Sequence, residues 1–310
     1  MQLKNFGQFI NESEQPSELK KMTIAVNTDM VDNRFLHEKD WVAPQTWQIV
    51  TQKNRDITEG HPLLNYSNFH TKRLLKEGQI KPDQIYNAES EKKKVSSKKE
   101  FYKLHEKSGY LPKSVIKGGD ISSLKYPIVA KPENRYGGLG ITIFENEEEM
   151  GKADLSSFDL FSEKIPIDEE YRMFMWKDQP LGLYRRIPAN EKTKNLKKGT
   201  DEKLKFNYEF HENPNYEEYD KMVKHFAESH SGLPFYSLDF VKSNGKIKVI
   251  EMSSEPGPSF GIIHKVYEKM YEDHFGKPLP ESDKELLRSY QQKDIEATLA
   301  SDKKRYSVKK

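Results

Sequence analysis

The chain's 310 residues include no cysteine, which removes disulfides, thiolate metal sites and a cysteine nucleophile together. No apolar run approaches the ~20 residues needed to span a bilayer, and Met1 to Glu12 lacks the apolar core of a secretory signal. The expected setting is a cytoplasm, without membrane association. An excess of one charge is missing too: 51 Lys and Arg against 49 Asp and Glu leave +2, so no overall field draws nucleic acid. The nine histidines show no His-x-x-x-His spacing, so no zinc site is expected, and His225 with His230 reads as a surface pair on a helix. Trp41, Trp47 and Trp176 read as core residues, and the basic tail from Lys303 to Lys310 as a solvated end. No segment repeats internally.

What is there is a soluble globular composition, 35% hydrophobic, 11% aromatic and 32% charged, in a chain long enough for several packed units. The most informative stretch is Tyr126-Pro-Ile-Val-Ala-Lys-Pro132, followed by Gly137-Gly-Leu-Gly140 and Ile141-Thr-Ile-Phe144. An apolar strand that ends on one lysine, then a glycine loop, then a second strand, suits a nucleotide triphosphate held under a lid. Gly137, Gly138 and Gly140 allow the backbone to approach an anion closely. A P-loop needs Lys-Ser/Thr directly after its glycines and a helix to follow, and neither is present. A Rossmann turn needs Gly-x-Gly-x-x-Gly opening a helix, which is absent as well.

Met22 to Val26 and Trp47 to Val50 read as strands, and Asn68 to Glu77 as a helix stopped by Gly78. The run from Glu89 to Lys99, with Lys92, Lys93, Lys94, Lys98 and Lys99, reads as a solvated linker and a domain boundary. Glu100 to Ser108 has helical spacing through Phe101 and Leu104, with Gly109 as the stop. Glu170 to Trp176 and Leu181 to Ile187 read as a hairpin about Lys177-Asp-Gln-Pro180. Tyr216 to Ser229 is helical through Tyr219, Met222, Val223 and Phe226, and residues 263–274 and 282–299 close the chain as helices.

A second constellation is Asp239-Phe-Val-Lys-Ser-Asn-Gly-Lys-Ile-Lys-Val-Ile-Glu251. Asn244-Gly245 is a strong hairpin signal. A two-residue loop pairs Asp239 with Ile250 and sends Glu251 to the opposite face. A three-residue loop, Ser243-Asn244-Gly245, pairs Asp239 with Val249 and puts Asp239, Val249 and Glu251 on one face, leaving Leu238, Phe240, Ile250 and Met252 on the core side. The second register is expected, because two converging carboxylates then make a hard-cation site suited to Mg²⁺ that bridges phosphates.

Taken in order, these parts resemble the ATP-grasp superfamily over about residues 95–262, closest to its glutathione-synthetase and ribosomal-protein glutamate-ligase branch. The resemblance implies an α/β (α+β) fold with two subdomains clamping ATP. Its implied division is an N-terminal peptide over 1–20, a small N-terminal α/β domain over 21–95, the ATP-grasp domain over 96–262, and C-terminal helices with a basic tail over 263–310. Lys99 and Lys131 look like the two phosphate-binding lysines, beneath the Gly137, Gly138 and Gly140 lid. Glu163, Lys164 and Ile165 match the adenine-holding hinge, and Glu170 the ribose-binding acid. Asp239 and Glu251 match the Mg²⁺ carboxylates, with Ser253 as the third ligand position. Gly182-Leu-Tyr-Arg-Arg-Ile187 and Thr193-Lys-Asn-Leu-Lys-Lys-Gly199 are similar to the branch's Arg strand and Asn-Leu-x-Arg-Gly loop. Arg186, Asn195 and Lys198 would then face a reacting acyl phosphate.

The implied activity is ATP- and Mg²⁺-dependent joining of a small-molecule or peptide carboxylate to an amine. Making an amide this way needs positioned cations more than a side-chain nucleophile. Two departures stand out. Ser253 replaces the family's asparagine, so Glu255 is an alternative source of the missing oxygen, and Lys198 replaces an arginine and loses its bidentate fork. The alternatives are an ATP-grasp kinase acting on a small hydroxyl substrate and a nucleotide-binding protein that does not ligate. Separately, Lys4-Asn-Phe-Gly-Gln-Phe-Ile-Asn-Glu12 resembles the cleaved capsid-targeting peptide of T-even-type phage head proteins, which implies a bacteriophage source and possible packaging in the virion.

Overall fold

The computed structural model of the chain describes residues 22–25, 47–50, 62–65, 71–133, 139–188, 206–211, 214–254 and 262–289. The first sheet is all parallel, in the order β2-β1-β3-β4, from β1 (Met22–Ala25), β2 (Trp47–Val50), β3 (Leu63–Asn65) and β4 (Ile85–Tyr86). Leu63 and Leu64 are both fully buried, as a parallel sheet covered on two faces requires. Helix α1 (Thr71–Lys76) follows, and Gly78, at φ +71°, turns the chain after it.

The run expected as a solvated linker is instead two helices, α2 (Glu89–Ser96) and α3 (Lys98–His105). The lysine-rich run is amphipathic: Lys92 and Val95 point inward while Lys93 and Lys94 pair with Glu89 and Glu91 at 3.4 and 2.8 Å on the surface. Ser97 separates the helices and caps α3 by accepting from the Glu100 N–H at 3.1 Å. Helix α3 therefore starts earlier than its spacing suggested. Phe101 and His105 face inward, and Leu104 is left 51% exposed.

The second sheet, in the order β5-β8-β6-β7, comprises β5 (Ser114–Ile116), β6 (Ile128–Lys131), β7 (Thr142–Phe144) and β8 (Leu160–Glu163). Strands β6 and β7 pair antiparallel, Ile128 opposite Phe144, as the expected strand–glycine–strand unit. Helix α4 (Glu147–Gly151), capped by Asn146, packs Met150 with Ile128, Phe144 and Phe161.

The third sheet is antiparallel, in the order β11-β10-β9-β12-β13: β9 (Glu169–Trp176), β10 (Gln179–Pro188), β11 (Phe206–His211), β12 (Phe235–Ser243) and β13 (Lys246–Ser253). Its two-residue period sends Tyr171, Met173, Met175, Leu238 and Phe240 to one face, against Met222, Val223 and Phe226 of α5 (Asp220–Ser229). Phe174, Trp176, Tyr184 and Phe235 face the other way, against α6 (Ile262–Phe275). Each such side chain contributes about 1.5–3 kcal/mol by leaving water. A last described helix runs over residues 281–289. Among the described residues no helix is long and apolar enough to cross a membrane. The N-terminal peptide, the basic tail and Trp41 lie outside the described residues.

Candidate active site

The β12–β13 hairpin sets the site. Asn244 and Gly245 both have positive φ, 49° and 71°, and the loop is the two-residue one, with Ser243 opposite Lys246. Continued unbroken, that register would aim Glu251 at the core. A β-bulge intervenes: the pairing shifts between Asp239 and Phe240, so that Phe240 stands opposite Val249 and Asp239 opposite Glu251. The expected three-residue loop is therefore corrected, and Val249 lies in the core rather than on the carboxylate face. The two carboxylates share a face through the extra residue, Ile250, and are direct cross-strand partners.

That row extends across the whole sheet. Glu251, Asp239, Arg172, Tyr184 and Phe210 are successive partners on β13, β12, β9, β10 and β11. Asp239 is buried, and Arg172 grips it with two bonds, Nε to Oδ1 at 2.6 Å and Nη2 to Oδ2 at 2.8 Å. Arg186 adds a third from Nη1 to Oδ2 at 2.6 Å, and the same nitrogen lies 2.7 Å from Glu170 Oε1. Desolvation alone would raise the Asp239 carboxyl, but the two guanidinium groups hold it below the usual carboxylate range. Glu170 moves the other way, to about 7, because burial and the charge of Asp239 outweigh Arg186.

Lys131, at the end of β6, is held by its backbone: its carbonyl accepts from the Asp159 N–H at 3.0 Å. Its ammonium and the Glu251 carboxylate feel each other, and both feel Lys98, so the second and third sheets face one another here. Burial pushes the Lys131 ammonium down, opposed by Glu251 and reinforced by Lys98. Burial pushes the Glu251 carboxyl up, reinforced by Asp239 and opposed by the two lysines. Glu251 is nevertheless reached by solvent, as a side chain lining an open cleft should be.

The remaining sequence candidates fall in several places. Lys99 is exposed, while its neighbour Lys98 enters the cleft and donates to the Glu133 carbonyl at 3.0 Å. Glu163 is engaged with the Lys125 N–H at 3.1 Å and Lys113 at 3.8 Å. Lys164 is exposed, with its N–H on the Pro127 carbonyl at 2.8 Å, and Ile165 is half-buried. Ser253 is half-buried, two residues beyond Glu251 on β13. Gly140 adopts φ +74°. Gly137, Gly138, Asn195, Lys198 and Glu255 lie outside the described residues. Sequence reasoning missed Lys98 and Arg172. For Arg172 a signal existed, since it lies two residues after Glu170 on one strand and therefore shares its face.

The histidine reading is corrected as well. His230 is buried, and the pair is not joined directly: His105 bridges them, Nδ1 to His225 Nε2 at 2.9 Å and Nε2 to His230 Nε2 at 2.8 Å.

No family model matches the chain, and no curated protein does. Solved structures do. The D-alanine–D-alanine ligase of Bacillus anthracis superposes with a TM-score of 0.55 at 13% identity, over 92% of this chain and 99% of that one. The same enzyme complexed with ATP gives 0.53 at 15%, over 93% and 100%. N5-carboxyaminoimidazole ribonucleotide synthetase of Thermotoga maritima gives 0.53 at 14%, over 84% and 77%. The chain therefore has the α/β fold of the ATP-grasp ligases.

Among the described residues no three or more His, Cys, Asp or Glu side chains converge on a metal position. Asp239 and Glu251 are hard oxygen donors on one face, which fits Mg²⁺ provided that further oxygens come from elsewhere, as they do when the ion rides on nucleotide phosphates.

Proposed function

We propose that this chain is an ATP- and Mg²⁺-dependent ligase that joins a carboxylate to an amine through an acyl phosphate. The observation that carries this reading is the ionic row of Glu251, Asp239 and Arg172 facing Lys131 and Lys98 across the cleft. In it, Lys98 and Lys131 hold the phosphates, and Lys98 takes the part that the family resemblance implied for Lys99. Asp239 and Glu251 hold the ion, which neutralises charge on the transferring phosphoryl group. Arg186, anchored by Glu170, would stabilise the acyl phosphate, a role that the sequence resemblance extends to Asn195 and Lys198. Glu163 to Ile165 hold adenine. The unit that does this comprises about residues 96–262, between the small N-terminal sheet and the closing helices, and it works on small or peptide substrates in a cytoplasm.

The test is Glu251→Gln, which removes a charge from a side chain that solvent already reaches. ADP release should vanish while the fold stays intact, and wild-type turnover in this variant would overturn the reading. Replacing the amine by hydroxylamine should give a hydroxamate; a stable phosphate ester instead would mark a kinase. A second reading, a nucleotide-binding protein that does not ligate, is favoured by Ser253 and by the three hydrogen bonds that Asp239 already accepts from two arginines. Tight ATP binding without turnover on any acid and amine would select it.

A further inference from the structure

The two carboxylates of the proposed ion site are not equivalent. Glu251 is reached by solvent, whereas Asp239 is buried and both of its oxygens already accept hydrogen bonds. Arg172 is the residue on both oxygens, from the neighbouring strand and in register with Asp239. Arg186 touches Oδ2 alone and also lies against Glu170. An ion at Oδ1 would have to share that oxygen with the Arg172 Nε–H and sit beside its guanidinium charge.

Charge makes that approach conditional. Among the described residues, four cationic side chains, Lys98, Lys131, Arg172 and Arg186, meet three carboxylates, Glu170, Asp239 and Glu251. These seven groups carry a positive surplus, and a bare dication would enlarge it where the effective dielectric is low. A triphosphate reverses the sign. It gives the lysines and a released guanidinium an anion to hold, and it leaves an uncompensated Asp239 for the ion.

We propose that Arg172 is a positioning residue that keeps Asp239 closed to divalent cations until nucleotide is present, so that metal entry is ordered after, or together with, nucleotide. This rests on the ligase reading above insofar as Asp239 is an ion ligand. The Arg172 guanidinium acts as a resident counter-ion that the nucleotide draws away. Its effect is on the order of binding, and no bond to substrate is required of it.

The experiment follows Mn²⁺ by the loss of its free-ion electron paramagnetic resonance signal, using the full chain, with and without a non-hydrolysable ATP analogue, and counts only the Mn²⁺ retained with the chain beyond what the analogue alone binds. Wild type should bind Mn²⁺ only with the analogue. Arg172→Gln should bind Mn²⁺ without it, at least about tenfold more tightly than wild type, since one like charge a few ångströms from the ion has gone. Arg172→Lys, which keeps the charge but cannot span both oxygens, should fall between and guards against a Gln variant that fails to fold. Wild type binding Mn²⁺ equally with and without the analogue would overturn the proposal, and so would variants no tighter than wild type in its absence while all bind in its presence. Failure of wild type to bind Mn²⁺ even with the analogue would instead remove the ion site, and the ligase reading with it.

Discussion

Asp239 and His105 stand at the centres of two buried polar clusters that meet the cost of burial in opposite ways. Around Asp239 the contacting groups are ionisable, and two guanidinium groups at 2.6–2.8 Å hold its carboxylate charged. Around His105 three imidazoles form a chain, His225–His105–His230, with no charge required. A neutral imidazole carries one donor and one acceptor, so such a chain closes without an ion. Burial, with His230 and His225 adding to it, drives His105 down to about 3. Burial and Lys94, opposed by Glu91, drive His230 to about 4. The first cluster borders the exposed Glu251, through which its partners could be exchanged with a ligand. The second stands between α3 and α5 beside Phe101 and Phe226 and has none to exchange with. Buried charge is kept where chemistry is proposed, and neutrality where only packing is needed.

The largest break in this comparison should come from Asp239→Asn. Removing the carboxylate leaves Arg172 and Arg186 without their shared counter-charge, and losing one partner of a buried ionic cluster costs about 3–5 kcal/mol. Glu251→Gln, one strand away, should change stability by less than about 0.5 kcal/mol. Urea unfolding of the two variants separates these outcomes; equal losses would mean that Asp239 is no more buried in effect than its neighbour. The second test is pH. His105 and His230 titrate in the folded chain well below the ordinary 6.5, so the unfolded chain binds protons first. Their contribution is complete above pH 6.5 and is lost as pH falls toward 4, at about 1.4 kcal/mol per pH unit for each histidine kept neutral. Unfolding free energies between pH 6.5 and 5 should fall less steeply in His230→Leu than in wild type, by about 1.4 kcal/mol per pH unit, while His264, held down to about 4 by burial, keeps its own share of the slope in both. The third test is Gly182→Ala, an apolar control. An added Cβ there comes within 2.8 Å of Ile262 Cδ1 and 3.2 Å of Tyr184 Cε2, movable ends of side chains, for a cost of about 1 kcal/mol that does not vary with pH. A pH-dependent loss in this variant would mean that the slope belongs to the whole fold rather than to the imidazoles.

Much of the fold was legible because period and punctuation carry it. Lys131 at the end of an apolar strand, the β6–β7 pair and the Asn244-Gly245 turn follow from strand composition and turn chemistry. What was not legible depends on phase or on distance. Lys98 and Lys99 are adjacent, and a resemblance between motifs cannot say which of them a helix turns toward Lys131 and Glu251. The lysine run looked like solvent-loving linker because its one inward stripe, Lys92 and Val95, hides among charges. His105 joins His225 and His230 across 120 and 125 residues of chain, which no local pattern encodes. The shared face of Asp239 and Glu251 was anticipated through the wrong device, since nothing in Lys248-Val-Ile-Glu251 marks the bulge at Ile250.

That bulge makes the position of an acid a matter of parity. Each residue added to or removed from the stretch between Asp239 and Glu251 flips Glu251 between the cleft and the oily side of the sheet, with no intermediate setting. A chain with this turn and no extra residue would press a carboxylate against Leu238. Length changes in the hairpin are therefore tolerable only in compensating pairs, a lengthened tip offsetting a lost bulge. Drift at this site proceeds by such two-step exchanges or ends the chemistry in one.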